Sequence, residues 1–311
     1  MDDDRWERDA LRQVALEAIA EQRRARRWGI FFKLVILAYV SILLLVALFG
    51  GALGGGGAAG RHTAMVSIEG VIEENSAASA ENIVGGLRAA FEAENVVGVL
   101  LKINSPGGSP VQAGIVNDEI RRLRQLHPEI PIYAVVTDIA ASGAYYIAAA
   151  ADRIYVDKAS MVGSIGVLMN SFGFTGTMEK LGIERRLYTA GQSKGFLDPF
   201  SPEQQRDVAH VNRLLEEIHR QFIDVVRQGR GDRLTAGDEV FSGLIWTGEQ
   251  SVQMGLADEL RNLYSVAREV VGAEKVLDYT PSQDVFSRFA EQFGASVARN
   301  LAPIVSGPQL R

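Results

Sequence analysis

The chain has 311 residues, 47% of them hydrophobic, no cysteine, and a formal net charge of -6. That length buries one core of ordinary size with some appended structure, and the missing cysteines exclude thiol nucleophiles, thiolate metal sites and disulfides together. The acidic balance offers no footprint for nucleic acid, because the one basic cluster is Arg23-Arg24-Ala25-Arg26-Arg27.

Residues 1–27 are polar, rich in both charge signs and helical in pattern. Residues 28–50 are almost wholly apolar after Lys33. About 20 residues of helix cross a bilayer, and a lysine near one end reaches back to the headgroups, so a single transmembrane anchor is expected over 28–50. The arginines before it and the Gly-rich linker after it, residues 51–62, place the amino terminus in the cytoplasm and the bulk of the chain outside it. A cleaved signal peptide is the competing reading, but the charged leader is too long for it. A buried core helix fits neither the arginines nor the glycines.

From residue 63 to 281 strand-like and helical patterns alternate, the mark of repeated βα units and a mainly parallel sheet in an α/β domain. The expected order is a strand Ala64 to Ile72, a helix Ala80 to Ala93 and a strand Val96 to Ile103. A helix Val111 to Leu126 with a charged face and a strand Ile132 to Thr137 come next. Then follow a helix after Ser142, a strand Arg153 to Val156 and a strand Ser164 to Met169. Ser201-Pro202-Glu203 reads as a helix start, with serine as cap and proline in the first turn, and that helix runs to about Val226. Gln228 to Gly237 is a polar connection, and a compact helical stretch holds Trp246 to Gln250 and Gly255 to Asp258. The tail, residues 282–311, is amphipathic, with Val285, Phe289, Phe293 and Val297 on one side of a helical pattern.

The chemistry gathers where strands turn into helices. Ser142, in Ala141-Ser142-Gly143-Ala144-Tyr145-Tyr146, stands at such a turn, suited to a nucleophile or a helix cap. Asn104-Ser105-Pro106-Gly107-Gly108-Ser109 stands at another, one strand earlier, and its amides suit an oxyanion site or a plain tight turn. Both loops fall at the carboxyl edge of a parallel sheet, where such folds collect their sites. None of the four histidines suits a triad base: His62 lies in the linker, His127 at the opposite end of the sheet, and His210 and His219 on different faces of one helix. Lysine serves as base when burial disfavours its ammonium form. Only six of the 32 basic residues are lysine, and Lys194 sits between glycines near Phe196 and Phe200. Ser164, in Gly163-Ser164-Ile165-Gly166-Val167, is placed to orient that amine.

Together with Ser193-Lys194-Gly195, Trp246-Thr247-Gly248-Glu249-Gln250 and Gly255-Leu256-Ala257-Asp258, these motifs resemble the signal peptide peptidase A family of bacterial serine peptidases, in its short form. The resemblance covers about Ala64 to Leu263. It implies a ClpP/crotonase-like fold in which Ser142 is the nucleophile, Lys194 the general base and proton donor, and Ser164 the group orienting Lys194. Amides near Gly108 and Gly143 would form the oxyanion hole. It also implies homo-oligomers in which serine and lysine of one site come from adjacent protomers. The substrates would be cleaved signal peptides and other apolar peptides at the bacterial cytoplasmic membrane, with neither metal nor cofactor. Two rivals are a crotonase-like acyl-CoA enzyme and a non-catalytic membrane scaffold built on a peptidase-like domain.

Overall fold

The computed structural model describes residues 21–24, 26–42 and 60–281. The chain divides into two compact units, Met1–Ala58 and Ala59–Arg311. In the first, residues 26–42 form helix α1, with exposed side chains. No helix among the described residues is long and apolar enough to cross a membrane. The expected span is therefore unsupported, and its second part, residues 43–50, lies outside the described residues. So do most of the leader, nearly all of the glycine-rich linker and the tail 282–311.

The second unit is built on an eight-stranded sheet. Its elements are β1 (His62–Glu69), α2 (Ala80–Glu92), β2 (Val96–Ser105), α3 (Pro110–Leu126), β3 (Ile132–Ala141), α4 (Gly143–Ala148), β4 (Arg153–Val156), β5 (Met161–Gly163), α5 (Thr175–Lys180), α6 (Gln205–Arg230), β6 (Ile245–Thr247), α7 (Gly248–Gln253), β7 (Glu259–Leu260), α8 (Leu263–Ser265) and β8 (Val276–Asp278). The strand order is β6-β5-β3-β2-β1-β8, with β4 pairing β3 and β7. Every pairing is parallel except β5 with β6. The expected α/β class with a mainly parallel sheet is the fold observed.

Alternation along the strands puts side chains on opposite faces. On one face Val66, Ile68, Leu101 and Ile103 join Ile83 and Leu87 of α2 and Val116 and Ile120 of α3 in the main core. On the other, Leu100, Val135 and Tyr155 pack with Val266 and Ala267. Serine caps begin both main-core helices: Ser79 Oγ accepts from Asn82 N–H, and Ser109 Oγ from Gln112 N–H ahead of Pro110.

One strand forks the sheet. β3 pairs with β4 along Tyr133–Val136 and with β5 along Ile139–Ala141, and its register with β2 shifts between Ile103 and Ser105. The fork brings the carboxyl ends of β2, β3 and β5 side by side.

Five expected elements differ: the stretch around Trp246 holds a strand, Ile245–Thr247, before its helix, the strand from Ile132 runs past Thr137 to Ala141, and three others depart as follows. Ser164 to Met169 is not a strand; the strand is Met161–Gly163, and Ser164 ends it with a positive φ of 51°. The long helix starts at Gln205 because the Ser201 hydroxyl donates to Asp198 instead of capping it, and it continues to Arg230. The first strand ends at Glu69, beyond which Ile72 makes only an isolated bridge with Gly108.

Candidate active site

Ser142 follows the last residue of β3 and precedes the first turn of α4. Its backbone has φ 53° and ψ -124°, a conformation that an L-residue keeps only when its surroundings fix it. Here Ser142 N–H donates to Gly163 O at 2.8 Å, and Tyr146 N–H donates to Ser142 O at 3.0 Å. The side chain makes no cap bond, so the hydroxyl is not spent on the helix. Of its two sequence readings, the cap is the one the geometry discards.

The Pro106-Gly107-Gly108 loop lies against this turn. A Cβ on Gly107 would sit 2.7 Å from Gly143 N, and one on Gly108 would sit 2.1 Å from Ile72 O, so neither position accepts a side chain without moving backbone. The loop is pinned by Gly107 N–H donating to Ser105 Oγ at 3.1 Å, Ile72 N–H to Gly107 O at 2.8 Å and Ser109 N–H to Ile72 O at 2.7 Å. Among the described residues nothing accepts from Gly108 N–H. Gly143 heads α4, and a first-turn N–H has no partner inside its own helix. The two glycines are in contact, since a Cβ on Gly143 would lie 3.3 Å from Gly108 N.

Ser142, Gly108, Gly143 and Ser164 line one cavity of about 570 Å³, with Tyr146, Val167, Leu168, Ile218 and Phe222 as apolar walls. Four of the five expected site residues are thus brought together. Lys194 is not among the lining residues. It lies exposed in a turn between α5 and α6, and its amine makes no hydrogen bond or ion pair among the described residues. Its expected apolar burial is absent from the single chain: Phe196 packs edge-on against His210, and Phe200 stacks on Phe174.

The histidines also depart from expectation in part. His62 belongs to β1 and not to the linker: it is buried, with Nδ1 against Gly60 O at 3.0 Å and Nε2 against Tyr279 Oη at 2.9 Å. His127 caps the far end of α3, as its position ahead of β3 implies. His219 lies beside the site, with Nε2 3.1 Å from Ile165 O. The contribution of α6 to the cavity was not legible. Ile218 and Phe222 lie four apart, on one helical face, but nothing in that spacing says that the face returns to Ser142.

Tyr145 in the helix after Ser142 reaches toward a charged cluster. Tyr145 is buried and donates to Leu256 O at 2.8 Å, and burial drives its phenol well above the ordinary range. Arg230, 2% exposed, donates to Gly255 O at 2.7 Å and to Asp258 Oδ2 at 2.8 Å. Burial pushes the Asp258 carboxyl up, but the Arg230 guanidinium, the Ile154 N–H and Arg233 together outweigh it and hold the group below its usual value. Among the described residues no cluster of acidic or histidine side chains is arranged to hold a metal ion.

The sequence model described as peptidase family S49 matches residues 124–276. A provisionally named signal peptide peptidase SppA of Enterococcus faecium is 30% identical over 212 residues, 66% of this chain and 61% of that protein. Over residues 124–276, just under half of its length, the chain is similar to peptidase family S49. The S49 match holds Ser142, Ser164 and Lys194, whereas the loop ending at Gly108 precedes it. Protease 4 of Haemophilus influenzae is 31% identical over 208 residues, 63% of this chain and 32% of that protein. The Na(+)/H(+) antiporter NhaA of Brucella melitensis is 43% identical over 194 residues, 62% of this chain but 26% of that protein. The chain thus spans from about a quarter to about three fifths of the length of these relatives.

Proposed function

We propose that this chain is a membrane-anchored serine endopeptidase whose Ser142/Lys194 dyad degrades remnant signal peptides and other apolar peptides. The observation that carries the reading is Ser142, uncapped at a strained strand-to-helix turn, with the amides of Gly108 and Gly143 beside it. Ser142 Oγ adds to the scissile carbonyl while the Lys194 amine takes its proton, and the two amides receive the developing oxyanion. Collapse expels the peptide amine, which leaves with the proton from Lys194, and water then hydrolyses the ester by the same relay. Ser164 orients the amine.

In this reading Lys194 reaches Ser142 from a second copy of the chain. Its exposure and its absence from the cavity lining support that arrangement, as does the exposed apolar segment that precedes it in the chain, where Leu168, Phe172 and Tyr188 are 76%, 76% and 89% exposed. Association would bury the ammonium and favour the neutral amine that a base requires. The apolar walls of the cavity suit apolar side chains, and SppA of Enterococcus faecium carries signal peptides in its name. The apolar run over residues 28–50 would hold the domain outside the cytoplasmic membrane, close to such substrates. An acyl-CoA enzyme has no use for the uncapped Ser142.

The test is cleavage of a fluorogenic apolar peptide by the full-length protein in detergent. Ser142→Ala is expected to lower kcat at least about 10³-fold. Equal cleavage by parent and variant would refute the reading.

A further inference from the structure

The site contains a support that neither the dyad nor the oxyanion amides account for. Ser164 holds φ 51°, the left-handed region that non-glycine residues occupy only where neighbours fix them. Two bonds on opposite sides fix it. Ser164 N–H donates to Leu244 O at 2.7 Å, and the carbonyl of the next residue, Ile165, faces His219 Nε2 at 3.1 Å. A carbonyl only accepts, so Nε2 carries a proton, a role that the neutral ring and the imidazolium both fill. Beyond Ile165 the tethers stop: no backbone group of residues 166–173 is hydrogen-bonded among the described residues. The bond from His219 is therefore the last hydrogen bond before residues 166–173, which are tied again only at Phe174, whose N–H donates to Pro199 O. It also ties α6, whose Ile218 and Phe222 wall the cavity, to the Ser164 turn.

We propose that His219 is a positioning residue: through Ile165 O it holds Ser164 in the turn from which its hydroxyl meets the catalytic lysine. The inference rests on the dyad reading above and adds to it a residue on an element that the motifs do not touch.

The test uses the full-length protein in detergent, steady-state cleavage of the fluorogenic peptide, and a thermal melt of every variant. His219→Ala is expected to lower kcat by about 10- to 100-fold, as a small misplacement of a catalytic group does, with KM within about two-fold of the parent. His219→Gln, whose amide N–H reaches the same carbonyl, is expected to restore most of the rate. In the Ser164→Ala background, His219→Ala is expected to cost less than about two-fold, because both changes remove one function.

Full additivity of the two substitutions, an equal loss in His219→Gln, or a loss that follows a fall in melting temperature would overturn the proposal. A parent that fails to cleave overturns the dyad reading and this inference with it. A parent that depends on Ser164 but not on His219 overturns the inference alone.

Discussion

At the scale of single residues, the site depends on where side chains are absent as much as on where they are present. Gly108 has Ile72 O where its Cβ would be, 2.1 Å away, so Gly108→Ala must shift the bridge to Ile72 and with it the amide proposed to receive the oxyanion. The expected outcome is a fall in kcat of about 10²-fold or more with a small change in melting temperature, read by cleavage and a thermal melt on the same sample. Wild-type kcat in that variant would remove Gly108 from the oxyanion site. Arg230 presents the opposite case, a buried charge held by one carboxylate and one carbonyl. Arg230→Ala leaves Asp258 without its main partner and is expected to cost about 3–5 kcal/mol in chemical denaturation; a loss within about 0.5 kcal/mol would show the pair to be dispensable. Ser142 was legible because its turn chemistry is local, set by the strand before it and the small residues after it. Lys194 was legible as an isolated lysine but not in its surroundings, since burial depends on contacts that no local pattern encodes.

At the scale of elements, α2 and α3 are joined by a carboxylate shared between two arginines. Glu119 accepts from Arg88 Nε and from Arg122, and these bonds hold its carboxyl down at about 2 from an ordinary 4.5. Because the folded value is the lower one, the contribution is complete above the ordinary carboxylate value. It is lost as pH falls toward the folded one, the unfolded chain taking up its proton first. Glu119→Gln is therefore expected to cost about 1–2 kcal/mol at neutral pH, a figure discounted for the exposure of both arginines. It should also flatten the acid limb of stability between about pH 5 and 2. Urea melts across that range check it, and parallel parent and variant curves would contradict it. The βα alternation announced the main-core helices and the central strands, because apolar periods of 2 and 3.6 are local signals. The fork of β3 was not legible: which half of a strand pairs with which neighbour is decided by register across the sheet. Ser164 to Met169 misled for a related reason, since its apolar residues wall a cavity instead of alternating across a sheet.

At the scale of the whole molecule, the described part of the chain holds Ser142, Gly108, Gly143 and Ser164 in one cavity, with Lys194 outside it. The resemblance to peptidase family S49 was legible because the motifs at Asn104, Ser142, Ser164 and Lys194, in that order, are jointly specific. The proposed division of the dyad between copies entered only through the resemblance, since neither composition nor spacing carries it. In the proposed division, a second copy would cover the large apolar side chains that the segment before Lys194 leaves exposed. The most direct measurement of that claim is co-expression of Ser142→Ala chains with Lys194→Ala chains, followed by cleavage of the fluorogenic peptide. Each variant alone is expected to be inactive, while the mixed assembly pairs intact serines with intact lysines and recovers about a quarter of the parent rate if subunits combine at random. A co-expressed mixture no more active than either variant alone would contradict a dyad shared between copies.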